Sequence, residues 1–125
     1  MAGTVTKTES THTRIKKIRW AWTSTAGGAA DLITGEAYYG RVISLVTIPG
    51  TAGDAPTDLY DITITDTEGY DVMQAAGANR STSATQSAVP TAASVAFGTL
   101  TLNVTNAGNA KSGVAILYID TQQIP

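Results

Sequence analysis

The chain has 125 residues, no cysteine and a formal net charge of −2 at pH 7. This length fits one domain, and the missing cysteine excludes a disulfide framework and thiolate chemistry. No apolar run approaches the roughly 18 residues of a membrane-spanning helix, so we expect no membrane segment. Leu, Ile, Val and Phe together number only 25, close to the about 20% level that is typical of disordered chains. We therefore expect a light core that is completed by partners.

The first predicted element is a flexible N-terminal arm over 1–13, because this segment is polar, rich in threonine and without periodicity. A single domain is predicted for 14–125. Its first strand is RIKKIRWAW, in which Ile18, Trp20 and Trp22 share one face at period two. Ile15 is out of phase with that face, so we expect a β-bulge near 16–17 that turns the basic side chains outward.

The middle of the chain predicts four further strands. DLIT is followed by a tight turn at TGE, and EAYYGRVISLVTIPG then forms a long strand that is apolar on both faces and interrupted at Gly40. DLYDITIT places Tyr60, Ile62 and Ile64 on one face. Across the turn DTEG, the segment YDVM is expected to pair back as a hairpin.

The last third contains a loop and a hairpin. Residues 74–94 are small and polar, and a structureless loop of roughly 20 residues is unusual in a compact domain. We expect it to lie against something outside the chain. GTLTLNVTNAG and VAILYID then predict a final hairpin, with Leu100, Leu102 and Val104 on one face. Together these elements predict an all-β fold, an antiparallel β-sandwich of about seven to eight strands.

The acidic residues between 54 and 71 raise the question of a metal site. Asp66, Glu68 and Asp71 lie near one turn and are weak calcium candidates, since hard cations prefer oxygen ligands. Their spacing does not match the EF-hand loop. Aspartate and glycine also form turns through side-chain hydrogen bonds to the backbone, and charges at a sheet edge prevent edge-to-edge association. The prediction is therefore turn chemistry, with no metal and no cofactor.

Catalytic equipment is sparse in this sequence. A hydrolytic triad needs a histidine that reaches a nucleophile, and the only histidine, His12, lies in the predicted arm. A glycosidase needs two carboxylates across a cleft, whereas the acids here cluster in one local hairpin. We expect a protein that is not an enzyme.

The basic residues are concentrated near the N-terminus. RIKKIRWAW combines Arg14, Lys16, Lys17 and Arg19 with two tryptophans, a mixture that single-stranded nucleic acid can bind. The sequence pI of about 5.1 argues against that partner. These four bases, together with Arg80, are instead expected to dock on an acidic surface of another protein or of a neighbouring copy.

Several stretches carry a resemblance to a known group of proteins. APTDLYDITITDTEGYDV, the uncharged loop after it, and GTLTLNVTNAGNAKSGVAILYI resemble small β-sandwich virion structural proteins of tailed bacteriophages. The resemblance covers roughly 40–119 and consists of turns and strands. It implies a protein made in the host cytoplasm and carried on the virion, where some such proteins decorate or cement the head.

The expected partners follow from that resemblance. They are the major capsid protein or other virion proteins. Separately, the light core and a strand over 113–119 that is apolar on both faces favour a homo-oligomer, either a trimer or a ring. Two alternatives stay open. One is a component of the neck or tail, and the other is a carbohydrate-binding or host-adhesion sandwich. In the latter the candidate stacking residues are Tyr38, Tyr39, Tyr60 and Tyr70.

Overall fold

The computed structural model describes residues 3–121, and for 33–35 it describes the backbone only. The strands are β1 (Thr4–His12), β2 (Ile15–Thr23), β3 (Ala30–Pro49), β4 (Asp61–Thr65), β5 (Gln86–Ala88), β6 (Val95–Thr105) and β7 (Ser112–Asp120). A short 3₁₀ turn at Ala52–Asp54 follows β3. All strand pairs are antiparallel, which confirms the predicted all-β, sandwich-like fold. Within the described residues, no helix is long and apolar enough to cross a membrane.

The sheet has the strand order β1-β2-β7-β3-β6-β4, and β5 pairs with β3 outside this path. The long strand β3 belongs to both halves of the sheet. Its residues 30–41 pair with β6, and its residues 41–49 pair with β7. The sheet curls into a half-barrel, so strands that are distant in the strand order meet across the core. The rings of Trp22 on β2 and Tyr60 before β4, for example, have centroids 5.5 Å apart.

Gly40 lies where β3 changes from one partner to the other. Its φ is +151°, and a Cβ there would lie 2.4 Å from the backbone oxygen of Asp120. Only glycine lets the two backbones approach so closely. The predicted interruption at Gly40 is therefore the point where the two halves of the sheet join.

The core is built from the inward residues of the curled sheet. The alternation predicted for β2, β4 and β6 is confirmed, because the apolar member of each pair is buried and its neighbour is more exposed. The largest fully buried side chains include Trp20, Trp22, Tyr60, Ile18, Leu45, Ile62, Ile64, Met73, Leu100, Leu102, Leu117 and Ile119. Burial of this many large apolar groups is the main force that holds the halves together.

The N-terminal segment differs from the expectation. Thr4–His12 is not a loose arm but strand β1, which pairs with β2 over nine consecutive residue pairs. Its side chains alternate between half-buried and exposed. The sequence did not indicate this alternation, because the inward residues include the charged Lys7 and Glu9 as well as Val5. The predicted bulge near 16–17 is also wrong, since the register of β2 runs without a shift from Ile15 to Thr23.

Two predicted turns have a different structure. The expected turn at TGE is absent, because Ala30–Pro49 forms one strand with a register shift between Ile33 and Ala37. The last two strands are present, but they do not form a hairpin with each other. β6 pairs with β3 and β4, whereas β7 pairs with β2 and β3. The connection 106–111 therefore crosses from one half of the sheet to the other.

The long loop after β4 is less free than its composition suggested. Residues 86–88 form β5 on β3, and an earlier part covers the edge of β4. There the backbone N–H of Ile62 donates to the oxygen of Gly77, and the N–H of Arg80 donates to the oxygen of Tyr60. The segment YDVM pairs back on the end of β4 as predicted, but only briefly. It makes the antiparallel bridge of Asp71 with Thr65, and backbone bonds run from Val72 N–H to the Ile64 oxygen and from Asp66 N–H to the Tyr70 oxygen.

Candidate docking surfaces

The acidic turn after β4 is held together by its own carboxylates. Asp66 Oδ1 accepts hydrogen bonds from the backbone N–H groups of Glu68 (2.9 Å) and Tyr70 (3.0 Å). Asp71 accepts from three backbone N–H groups, those of Ile64, Met73 and Ala75, at 2.9–3.1 Å. These are the local side-chain bonds that make aspartate a turn residue.

The other acids of this region have similar roles. Asp58 accepts from the N–H of Thr82, and Asp61 accepts from the N–H of Asn79 and from the side-chain amide of Asn106. In the part of the chain that the structure describes, no group of three or more His, Cys, Asp or Glu side chains is placed to hold a metal ion. The acidic stretch therefore anchors turns and the long loop, and Glu68 is simply an exposed turn residue.

A cluster of charged side chains lies at one end of the half-barrel, inside the sheet rather than on its surface. We call Lys7, Glu9, Lys16 and Tyr38 the ion cluster. The Nζ atoms of Lys7 and Lys16 lie 2.8 and 3.3 Å from the Glu9 carboxylate. The Tyr38 hydroxyl donates to Glu9 and accepts from Lys7 at 3.1 Å. Both ammonium groups also lie within 6 Å of the centre of the Tyr38 ring, which is the range of a cation–π contact.

The pKa values of the ion cluster reflect this mutual pairing. Burial alone would raise the pKa of Glu9, but hydrogen bonds from Lys7, Tyr38 and Lys16 outweigh it and lower the pKa to about 2. Burial alone would lower the pKa of Lys7, and its bonds to Glu9 and Tyr38 instead raise it above the usual range. Burial and the bond to Glu9 raise the pKa of Tyr38 to about 12. Lys7 and Glu9 are thus charged and Tyr38 is neutral near neutral pH.

The structure does not bring the five predicted docking bases onto one surface. Lys16 faces inward in the ion cluster, and Arg14 pairs with the buried carboxylate of Asp120 at 3.2 Å. Arg80 forms a backbone bridge with Tyr60 beside β4, four places from β2 in the strand order. Lys17 and Arg19 alone share a face, the outer face of β2, where neither forms an ion pair within the described residues.

Lys17 and Arg19 lie along one side of an apolar surface. The sequence predicted the apolar residues of β3 in this surface, but not their contact with β7. The outward residues of β7 and of the second half of β3 form a band, which we call the outer stripe: Val46, Ile48, Val114, Ile116 and Tyr118. Their contact follows from the register, which places Val46 opposite Ile116 and Ile48 opposite Val114. On the other side of β7, Arg19 lies opposite Ile116 and Lys17 opposite Tyr118.

The outer stripe lies on the side of β7 that faces away from the core. Ala115, Leu117 and Ile119 belong to the core cluster. Ile116 points to the other side of the strand and is still buried at 7% exposure, whereas Val46, Ile48, Val114 and Tyr118 are half-buried. β7 is therefore apolar on both faces. A shallow groove of about 340 Å³ runs along one end of the stripe, between β1, β2, β3 and β7, and its lining includes Ala21, Ile48 and Val114.

The outer face where β4 pairs with β6 has the opposite character. β4 and β6 turn Thr63, Thr65, Thr101 and Asn103 outward, and the Asn103 amide donates to the Thr65 hydroxyl. A polar outer face is what an antiparallel sheet shows to water. The outer stripe differs from this region because its side chains are apolar.

The tyrosines of the adhesion alternative are not gathered on one platform. Tyr60 is fully buried, and Tyr38 is buried in the ion cluster. Tyr39 is exposed and packs edge-to-face on Phe97, with ring centroids 4.9 Å apart. Tyr70 is partly exposed, and its hydroxyl contacts Ser94 and the Gln74 amide. Two of the four are therefore packing residues.

Comparisons of the chain with protein-family models, with curated proteins and with solved structures gave no match.

Proposed function

We propose that this protein is a non-enzymatic structural component of a tailed-bacteriophage virion, and specifically a decoration protein that binds the outside of the capsid and bridges its subunits. The setting comes from the resemblance of 40–119 to small β-sandwich virion proteins. The single structural observation that supports a docking role is the outer stripe, with Lys17 and Arg19 along one side.

The chemistry of this surface indicates the kind of partner. A specific interface combines an apolar centre with a polar or charged rim. Here the centre is Val46, Ile116 and their neighbours, and the rim is basic. The partner surface is therefore apolar with carboxylates beside it, because complementary charge directs encounter and fixes the register of two surfaces. A subunit of the capsid shell is the proposed partner.

A position at the neck or tail is the second candidate, since the same surface would serve a ring of subunits. The number of copies per particle separates the two. Quantitative mass spectrometry of purified virions, with the major shell protein as the reference, is expected to find copies on the scale of the shell subunits. A number close to that of a single ring would place the protein at the neck or tail. Its complete absence from virions would contradict both.

Direct binding tests the outer stripe. Particles that lack this protein are mixed with purified chain, and the bound fraction is measured after sedimentation. Val46→Asp introduces a charge in the centre of the stripe and is expected to reduce binding at least tenfold. Thr101→Asp introduces the same charge on the polar outer face of β6 and is the matched control. Equal binding by both variants would remove the stripe from the docking surface.

A further inference from the structure

The sheet ends in two edge strands, and the chain itself covers only one of them. Along β4, the loop that follows supplies backbone partners, such as the Gly77 oxygen for the N–H of Ile62. β1 is the last strand at the other end of the strand order. Among the described residues it pairs with β2 alone, and no loop pairs with its outer edge. Such an edge presents backbone N–H and C=O groups on which another strand can form.

β1 lacks most of the features that keep an edge strand from pairing. It has nine residues and no proline, and its register with β2 runs without a shift, so it contains no bulge. Its outward side chains, Thr4, Thr6, Thr8 and Ser10, are exposed and uncharged, and threonine is common in strands. The outer edge is therefore regular and long enough to add a further strand.

The one lysine and the one acid of β1 restrict what that strand can be. Lys7 and Glu9 lie two residues apart on the inward face, and the Lys7 Nζ is 2.8 Å from the Glu9 carboxylate. Inward charges on an edge disfavour the addition of most strands, because like charges directly opposite each other are destabilising. A fitting partner strand carries a carboxylate opposite Lys7 and an ammonium group opposite Glu9.

A second copy of β1 meets this requirement in one register. When two copies pair antiparallel about a two-fold axis at Thr8, every residue of Thr4–His12 has a partner. Lys7 of each copy then lies opposite Glu9 of the other, and Thr8 lies opposite itself. Sliding one copy by two residues places Lys7 opposite Lys7 or Glu9 opposite Glu9, and sliding it by one puts inward side chains on the outer face. The register with the most pairs is thus also the one with complementary charges.

We infer that β1 pairs with β1 of a second copy, antiparallel about a two-fold axis at Thr8, so that one continuous sheet crosses the dimer. In strand addition of this kind, main-chain hydrogen bonds supply affinity and side chains supply specificity. A two-fold contact is the commonest arrangement of soluble homo-oligomers, and it closes with two copies rather than the expected trimer or ring. The contact goes beyond the proposed function and does not rest on it, because it uses the edge of β1 and no side chain of the outer stripe.

The first test places like charges at the axis. The unmodified chain is expected to dimerise, and Thr8→Lys, which puts an exposed ammonium group opposite its own copy, is expected to raise the dissociation constant at least about tenfold. Thr4→Lys is the matched control on the same outward face, because its two copies lie roughly 26 Å apart in this register. Light scattering over a wide concentration range measures the masses, and thermal unfolding checks that each variant is folded. A monomeric unmodified chain, or equal dissociation constants for the two variants, would overturn the inference.

The second test identifies the residue at the axis. Thr8→Asp alone is also expected to be monomeric, because two carboxylates then face each other. When Thr8→Lys and Thr8→Asp chains are mixed in equal amounts, opposite charges meet at the axis, and a heterodimer is expected. A mixture that stays monomeric while the unmodified chain dimerises would show that the copies associate elsewhere.

The third test uses the absence of cysteine from the chain. Thr8→Cys places the thiols of two copies directly opposite each other, at a Cα separation that a disulfide can span, so mild oxidation is expected to give a covalent dimer. Thr4→Cys is expected to give little. If Thr4→Cys cross-links as readily as Thr8→Cys, the copies do not pair in this register and the inference fails. If capsid binding fails while all three results hold, the proposed function is lost and the strand pairing stands.

Discussion

The hydroxyl of Tyr38 on β3 donates a hydrogen bond to the carboxylate of Glu9 on β1. These strands are three places apart in the sheet order, so the bond spans the half-barrel. Lys7 and Lys16 complete the link from β1 and β2. One end of the half-barrel is thus joined by charged and polar side chains, where the rest of the interior is apolar. Inward charges on an edge strand also discourage edge-to-edge aggregation.

Replacing Glu9 tests this link. Glu9→Gln keeps the shape of the side chain but removes the charge that three donors share, and it is expected to lower the free energy of unfolding by about 1–3 kcal/mol. The exposed carboxylate of Glu68 is the control, and Glu68→Gln is expected to change the free energy by less than about 0.5 kcal/mol. Urea unfolding of the three proteins at pH 7 measures both effects.

The stabilisation that Glu9 provides, measured as the difference between the unmodified chain and Glu9→Gln, is expected to depend on pH in one direction. The pKa of Glu9 is about 2 in the folded chain and about 4.3 in an unfolded one. The carboxylate therefore stabilises the fold fully above the unfolded pKa, and this contribution is lost as the pH falls toward 2. The difference between the unmodified chain and Glu9→Gln should shrink between pH 5 and pH 2. A constant difference across this interval would show that Glu9 acts through packing alone.

The sequence predicted the strands better than their partners. Period-two alternation identified β2, β4 and β6 because one face of each is apolar and the other is polar. β1 was not predicted as a strand because Lys7 and Glu9 occupy two of its inward positions. These polar residues interrupt the apolar side of the period-two pattern. Only the position of Tyr38 across the half-barrel makes those two charges internal.

The pairing of strands depends on long-range contacts that local patterns do not contain. β6 and β7 are joined by a short connection rich in turn residues, and that pattern is typical of a hairpin. In the structure β3 lies between them, because its two halves pair with both. The period-two pattern predicted that the docking bases lie on β2. In the structure, Lys16 and Arg19 point to opposite faces of that strand.

The close approach of Gly40 to Asp120 predicts a steric effect. Gly40→Ala would place a methyl group 2.4 Å from the Asp120 oxygen and 2.9 Å from Ile119 Cγ2. Because backbone atoms must shift, the substitution is expected to lower the free energy of unfolding by about 2–3 kcal/mol. Gly53→Ala is the matched control, since a Cβ there meets nothing within 4 Å. Thermal unfolding midpoints compare the two, and similar midpoints would refute the close approach.

The turn carboxylates predict that calcium does not alter stability. Asp71 uses its oxygens on three backbone N–H groups, and those bonds compete with any cation at that carboxylate. The thermal midpoint is therefore expected to be equal with calcium and with a chelator. A rise with calcium would show that the ion displaces these bonds and that Asp66, Glu68 and Asp71 act as ligands.

Removing the Asp71 carboxylate tests its role in the turn. Asp71→Ala leaves three N–H groups without their acceptor and is expected to cost about 1–3 kcal/mol of stability. Asp54→Ala removes an exposed carboxylate of the 3₁₀ turn and should change the free energy of unfolding by less than about 0.5 kcal/mol. Chemical denaturation measures both values. Equal small effects would mean that water replaces the carboxylate at the turn.

Two buried hydroxyl groups in the core give the last prediction. The oxygens of Tyr60 and Thr47 are buried near each other, and neither makes a hydrogen bond of good geometry among the described residues. Burial raises the pKa of Tyr60, and the nearby Thr47 hydroxyl offsets only part of that shift. Replacing both with apolar groups of similar shape is nearly neutral or stabilising when no good bond is lost. The double variant Tyr60→Phe, Thr47→Val is therefore expected to match or exceed the unmodified chain in stability.

The control is Leu102→Ala, which removes most of a fully buried side chain and should lower the free energy of unfolding by about 2–5 kcal/mol. A loss of similar size in the double variant would reveal a hydroxyl bond that stabilises the fold.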